Sequence, residues 1–246
     1  LLAGTPYRAI EAVGRGGMGD VVLAEHMVLG KPVVVKLLRA EMVGDPRLVE
    51  RMRVEARTLA TLSHPHLVAV TDFGTTPDGR PYLVMDRLEG ATLGEELKTR
   101  GSIPIADAIR YVIELLDGLG AVHEAGLVHR DVKLGNVFLC SPDRHGRRVI
   151  KLLDFGIVKV PRRLGERMGR QYPTEEGAML GTPRTAAPEQ LLGRPVDARA
   201  DLYAVGLLLY TLVAGQSPFR AARDVREVLR AQLDDAPPPL STVAPQ

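Results

Sequence analysis

The chain has 246 residues, a formal net charge of +2 and a mean hydropathy of +0.00. That length can bury a core as one domain or as two lobes, and so small a net charge gives no pull toward a polyanion. The one cysteine, Cys140, excludes an intrachain disulfide and a cage of paired cysteines; no apolar run approaches the length of a membrane span, and the first residues do not read as a signal peptide.

Residues 10–35 read as strand, turn, strand, turn, strand. Ile10 to Val13 is apolar-rich, Gly14-Arg15-Gly16-Gly17-Met18-Gly19 is a glycine loop, and Val21-Val22-Leu23-Ala24 follows. Glycines let backbone N–H groups approach phosphate oxygens without a side chain in the way. In a dinucleotide-binding unit such a loop opens a helix. Here a β-branched strand follows, then the turn Gly30-Lys31-Pro32 and the strand Val33-Val34-Val35-Lys36, so that reading is set aside. Residues 46–62 read as a helix, with Asp45 as N-cap and Pro46 at the first position. Leu48, Met52, Glu55, Leu59 and Leu62 fall on one face, which puts Glu55 on an apolar stripe where a carboxylate needs a partner. His64-Pro65-His66 has no further metal-ligand residue beside it and reads as a loop after that helix.

Residues 67–73 and 82–86 read as strands joined by the turn Thr76-Pro77-Asp78-Gly79. A short helix over 93–100 ends at Gly101. A long one over 104–124 carries the stripe Ile109, Val112, Leu116, Leu119 and Val122, with Gly126 just past its end. Then comes His129-Arg130-Asp131-Val132-Lys133-Leu134-Gly135-Asn136, an apolar run, the turn 141–148, a second apolar run, and Asp154-Phe155-Gly156. Asp131 can accept the proton of an attacking hydroxyl, and Lys133 can sit against a transferred phosphate. Asn136 and Asp154 offer hard oxygen ligands suited to magnesium. A hairpin of strands 137–139 and 149–153 brings Asn136 and Asp154 toward one site.

On these motifs the chain resembles the eukaryotic-like (Hanks-type) protein kinases, and within them the bacterial serine/threonine kinases, the Lys two residues after Asp131 being the serine/threonine variant. The resemblance implies an α+β, two-lobed fold. A small antiparallel-sheet lobe with one helix covers 1–85, a hinge 86–90, and a larger, mainly helical lobe 91–246. It implies a glycine loop (Gly14, Gly16, Gly17, Gly19) folded over ATP, Lys36 on the α- and β-phosphates held by Glu55, and Met85 as the gatekeeper behind the adenine. Backbone groups of Asp86 and Leu88 bond the adenine edge; Val21, Val34 and Phe138 sandwich the base. The family carries Ala where Val34 stands, so two extra methyls narrow that pocket. Asn136 and Asp154 hold Mg2+, with Mn2+ as an alternative ion. The helix 198–214 is apolar nearly all round, and its Asp201 holds the backbone around His129 and Arg130.

The segment between Asp154 and Glu189 is long and basic, with Lys159, Arg162, Arg163, Arg167 and Arg170; a second cluster, Arg144, Arg147 and Arg148, reads as a solvated turn. Aromatics are 4% of the chain and do not interleave with these charges, which argues against nucleic acid. Ala187-Pro188-Glu189 resembles the anchor that closes an activation segment, and Thr182 is placed to contact Asp131 and Lys133. The family has an aromatic at Thr185 and a bulky apolar residue at Ala186, which thins the peptide-binding floor. Arg130 wants an anion, which a phosphorylated Thr174 supplies, with Glu175 and Glu176 as partial substitutes.

The resemblance runs from about Tyr7 to Pro245, whereas the family continues through two or more helices. Glu189 is therefore expected to lack its Arg partner, apolar surface of the helix 198–214 to be exposed, and stability to be low. The expected activity is transfer of the ATP γ-phosphate to Ser or Thr of proteins and of the chain itself, in the cytoplasm, with pairing of two copies for reaction in trans. The alternatives are a nucleotide-binding scaffold or inactive fragment and, more weakly, a small-molecule kinase.

Overall fold

Alternation of buried and half-buried residues along Val33-Val34-Val35-Lys36-Leu37 is the mark of a strand with two unlike faces. The computed structural model describes residues 2–15, 19–38, 43, 46–153, 184–222 and 224–244, without the side chains of Arg15, residues 46–48, Arg51, Glu55 and Val225. The chain divides into two units, 1–89 and 90–246.

In the first unit, β1 (Tyr7–Arg15), β2 (Gly19–His26), β3 (Lys31–Leu38), β4 (Val70–Thr75) and β5 (Pro81–Asp86) form one antiparallel sheet in the order β1-β2-β3-β5-β4. The helix α1 (Pro46–Thr61) packs on β4 through a face that includes Met52, Ala56 and Leu59, all buried. Residues directly opposite on paired strands share a face. Val22 opposite Val35 and Ala24 opposite Val33 join Tyr7, Leu37, Tyr82 and Val84 in one buried cluster. The other face carries Val21 opposite Lys36, Leu23 opposite Val34, and Val34 opposite Met85. The β2–β3 pairing is regular, while β1–β2 slips at Ala9/Glu11 and Ala12/Gly14 as β1 approaches the glycine loop. Gly19 admits no side chain, since a Cβ there would lie 2.0 Å from the Leu37 carbonyl oxygen.

The second unit starts with β6 (Gly90–Thr92), which pairs with β7 (Val137–Cys140), itself paired with β8 (Ile150–Leu152). Thr92 caps α2 (Leu93–Arg100): its hydroxyl accepts from the Glu95 amide at 3.2 Å, and its own amide donates to the Glu95 carboxylate at 2.7 Å. This reciprocal box satisfies two donors that a helix start otherwise leaves open. Gly101, at φ 76°, ends the helix. Next come α3 (Ile105–Glu124), a 3-10 turn (Leu134–Asn136), α4 (Pro188–Leu191), α5 (Arg199–Ala214), α6 (Val225–Asp234) and α7 (Leu240–Val243). The core forms where α3 packs on α5 and β8.

One expectation is corrected on α3. Val112, Leu119 and Val122 of the expected stripe are buried, together with Ala108, Tyr111 and Leu115, whereas Ile109 and Leu116 are exposed. Ile105, Ile109, Ile113 and Leu116 lie exposed, Ile113 at 62%. The helix is apolar on two sides, and the side turned to α5 and β8 is the one that also carries Tyr111 and Glu114. The exposed apolar surface expected on α5 is thus mainly on α3; of α5's large apolar residues only Leu202 is exposed among the described residues. The turn between β7 and β8 also departs from a merely solvated loop. Arg148 pairs with Glu96 at 2.6 Å and donates to the Cys140 carbonyl at 3.1 Å.

The two faces of α3 set a stability contrast. Ile113→Lys is expected to shift the free energy of unfolding by less than about 0.5 kcal/mol. Leu115→Ala, at a fully buried position, should remove about 2–5 kcal/mol. Urea midpoints at unchanged slope would check this, and equal losses at the two positions would contradict the assignment of faces.

Candidate active site

Each unit carries its own part of the expected site. In the first, the sheet face opposite the buried cluster presents Val21, Val34, Lys36 and Met85, with Gly14 one residue before the end of β1 and Gly19 opening β2. Met85 is buried, whereas Val21, Val34 and Lys36 are half-buried. Asp86 donates its amide to the Ala69 carbonyl at 3.0 Å, which leaves its carbonyl as the group it could offer a ligand. Its carboxylate pairs with Lys31 at 2.8 Å. Leu88 is half-buried just beyond β5. Gly16, Gly17 and the Glu55 side chain lie outside the described residues, so the expected Lys36–Glu55 pair does too.

In the second unit a single carboxylate gathers the loop. Asp201, in the first turn of α5 and 1% exposed, accepts from the His129 amide, the Arg130 amide and the His123 ring, each at 2.8 Å. A buried carboxylate is tolerable only when its lone pairs are met in this way. Arg130 takes φ 63°, the only positive φ outside glycine among the described residues. That conformation costs a side-chain-bearing residue on the order of 1–3 kcal/mol and persists where neighbours over-determine it. Here they do: the Arg130 carbonyl also accepts from the Gln190 side chain at 3.0 Å.

His129 is fully buried, and its ring spans the loop. Nδ1 accepts from the Asp131 amide at 3.2 Å, so Nε2 carries the proton and donates to the Leu153 carbonyl at 2.9 Å. The next amide, that of Leu153, donates to the Asn136 carbonyl at 2.8 Å. The end of β8 is therefore tied to both ends of the loop. Glu114, buried on α3, accepts from the Ile150 amide at 2.9 Å and holds β8 from its other side, with Arg110 at 3.5 Å and Arg147 at 3.6 Å balancing its charge.

Three expected residues meet at this place. Lys133 Nζ donates to Asp131 Oδ2 at 3.0 Å, and Asn136 Nδ2 donates to Asp131 Oδ2 at 3.1 Å and to its carbonyl at 2.9 Å. One carboxylate oxygen of Asp131 is thus pinned between an ammonium and an amide. The nitrogen of Asn136 is used twice within the loop, so Oδ1 is the atom it would turn to a hard cation. Phe138 is half-buried on β7, opposite Thr92. Asp154, Thr174 and Thr182 lie outside the described residues.

Beside the loop is a small recess of about 10 Å³, open to solvent, lined by Arg130, Asp131, Val132, Thr185, Ala186 and Gln190 among others. The short side chains of Thr185 and Ala186 leave it. The Nε of Arg130 is buried and without a hydrogen-bond partner among the described residues. Glu189 forms no ion pair among them; burial of the Tyr203 phenol, with the Glu189 charge nearby, pushes that phenol up to about 12. Sequence reasoning missed Gln190, although a Gln two residues after Pro188 is half of a capping box. It also missed Glu114, whose partner is 36 residues away.

A family model described as the protein kinase domain matches residues 7–243. Serine/threonine-protein kinase Pkn1 of Myxococcus xanthus is 39% identical over 96% of this chain and 32% of its own length. PknB of Mycobacterium tuberculosis is 36% identical over 95% of this chain and 36% of its own length. The chain thus spans about a third of the length of these curated relatives. Among solved structures, a double mutant of the Mycobacterium tuberculosis PknI kinase domain superposes with a TM-score of 0.72 at 27% identity, covering 100% of this chain and 83% of that one.

The His129 ring is the interior support of the loop. His129→Ala should orphan the Asp131 amide and the Leu153 carbonyl, at about 1–3 kcal/mol for each group left unsatisfied. Urea unfolding would measure the loss; an unchanged midpoint would show that neither bond contributes.

Proposed function

The chain belongs to the protein kinase domain family, and from that premise we propose that it transfers the γ-phosphate of ATP to serine or threonine hydroxyls of proteins, itself included. The observation that carries the proposal is the arrangement of Asp131, Lys133 and Asn136 on a loop clamped by Asp201. In phosphoryl transfer of this kind the protein contributes positioning and electrostatics rather than covalent chemistry.

Asp131 is the residue that receives the hydroxyl proton. Oδ2 is engaged by Lys133 and Asn136, which fixes the carboxylate's rotation. Lys133 places a positive charge beside the hydroxyl's path and would offset charge on the transferring phosphate. Lys36 and its proposed partner Glu55 serve the α- and β-phosphates, and Gly14, Gly16, Gly17 and Gly19 leave backbone N–H groups open to phosphate oxygens. Val21, Val34, Met85 and Phe138 offer apolar contact to adenine, and the Asp86 carbonyl and Leu88 backbone offer its polar partners. The family uses a divalent metal, and the donor set fits a hard one: Asn136 commits its nitrogen to the loop, so its oxygen is the ligand, and Asp154 adds a carboxylate. Asn136 and Asp154 would hold Mg2+, or Mn2+ in its place, whose charge would offset that of the phosphates. Rates of about 1–100 s⁻¹ are typical of such enzymes.

The proposed partners are proteins, with pairing of two copies for phosphorylation in trans. The proposed compartment is the cytoplasm. No helix among the described residues is long and apolar enough to cross a membrane.

Radiolabelled ATP and Mg2+ test the reading. Wild type should take up label or pass it to a protein substrate, while Asp131→Asn should lose transfer by at least about 10²-fold and bind nucleotide as before. Label on both chains would refute Asp131 as the proton acceptor. Label on neither, with nucleotide bound, would favour a scaffold. A second test concerns the switch: after incubation with ATP, mass spectrometry should find phosphate on Thr174, the anion proposed for Arg130. Phosphate absent from residues 159–185 would sink that assignment.

A further inference from the structure

We propose that Gln190 is a positioning residue for Asp131, holding the peptide unit from which the Asp131 side chain springs. The inference rests on the phosphotransfer reading above and adds a residue that the motifs do not contain.

The unit in question joins Arg130 to Asp131. Its two polar atoms are its only handles, and each is held by one side chain. The N–H, that of Asp131, donates to His129 Nδ1 at 3.2 Å. The C=O, that of Arg130, accepts from Gln190 Nε2 at 3.0 Å. One residue earlier, the Arg130 amide donates to Asp201 Oδ1 at 2.8 Å. Arg130 itself stands at φ 63°, where an ordinary residue would relax by rotating the adjoining peptide planes. Rotating this plane would swing the Cα–Cβ direction of Asp131 and break its pairing with Lys133 and Asn136. The Gln190 bond resists that rotation at the carbonyl end.

The chemistry requires an amide at position 190. Gln190 Oε1 accepts from the Ala187 amide at 3.0 Å while Nε2 donates to the Arg130 carbonyl. Only one orientation of the group satisfies both bonds. Glutamate has the same shape and would keep the Ala187 bond, but would set an anionic oxygen against the Arg130 carbonyl. Gln190 also sits at the third position of α4, immediately after Pro188-Glu189, so its bond carries the placement of the α4 start directly to the loop. It lines the recess beside Asp131.

Gln190→Glu and Gln190→Ala, assayed beside wild type, test the proposal. Both should lower kcat per nucleotide-binding molecule by about 10- to 100-fold, as for a small misplacement of a reacting group, with KM for ATP within about twofold. Gln190→Glu should still fold, with its melting temperature lowered by about 2–4 °C for the lost bond. A purely structural role would lower the folded fraction and leave kcat per binding-competent molecule unchanged. Either variant with wild-type kcat overturns the proposal. If wild type itself transfers no phosphate, the phosphotransfer reading fails separately. Gln190 is then judged by hydrogen exchange at the Asp131 amide, which Gln190→Glu must accelerate about tenfold or more; unchanged exchange would equally overturn it.

Discussion

The carboxylate of Asp201 is the constraint on which the rest of the larger unit depends. It is a buried charge in the first turn of α5, a position where the helix dipole favours an anion. Two of its three donors are consecutive backbone amides, those of His129 and Arg130, and the third is the His123 ring near the end of α3. Two helices and a loop therefore converge on two oxygen atoms. Once the amides are bound there, Arg130 is committed to its left-handed conformation, and the chain that follows must leave in one direction. Asp131, Lys133 and Asn136 then fall into contact, and β7 begins immediately after them.

The remaining supports make sense as answers to the strain that this clamp introduces. His129 turns its ring inward and binds the loop to the end of β8. Glu114 holds the start of β8 on α3, and the Leu153 amide ties the strand to Asn136. Backbone groups next to Asp131 are thereby fixed by side chains from α4 and α5, while α3 holds β8 and the Leu153 amide holds Asn136. A loop so over-determined can keep a costly conformation without a lid or a ligand to enforce it. That is what positioning catalysis requires.

Much of this was legible before any coordinate. The turn Gly30-Lys31-Pro32 announced a strand from Val33, Gly101 announced the end of α2, and the order of Asp131, Lys133, Asn136 and Asp154 announced phosphoryl transfer. Local rules govern each of these. What stayed hidden was decided by partners far along the chain. The edges of the buried face of α3 could not be chosen from its own sequence, because Ile109 and Leu116, which are exposed, are as apolar as Leu115, which is buried. The neighbours α5 and β8 make the choice, and they accept Tyr111 and Glu114 along with the aliphatic residues. Gln190 carried no sequence signal of its role, because its partner, the Arg130 carbonyl, lies 60 residues away. Arg148 looked like part of a solvated turn until Glu96 was found beside it. Asp201 was readable only through the family resemblance; nothing in an apolar helix names the amides that one acid will bind.

The most direct test of this account is phosphate transfer from labelled ATP by Asp201→Asn, measured per nucleotide-binding molecule. The amide would present an N–H₂ to donors that now meet a carboxylate, and the Arg130 turn would lose its anchor. The account expects nucleotide binding within about twofold of wild type and transfer reduced by about 10²-fold or more, the scale of a misplaced catalytic group. Transfer at the wild-type rate would contradict it, because the loop would then hold Asp131 in place without the clamp.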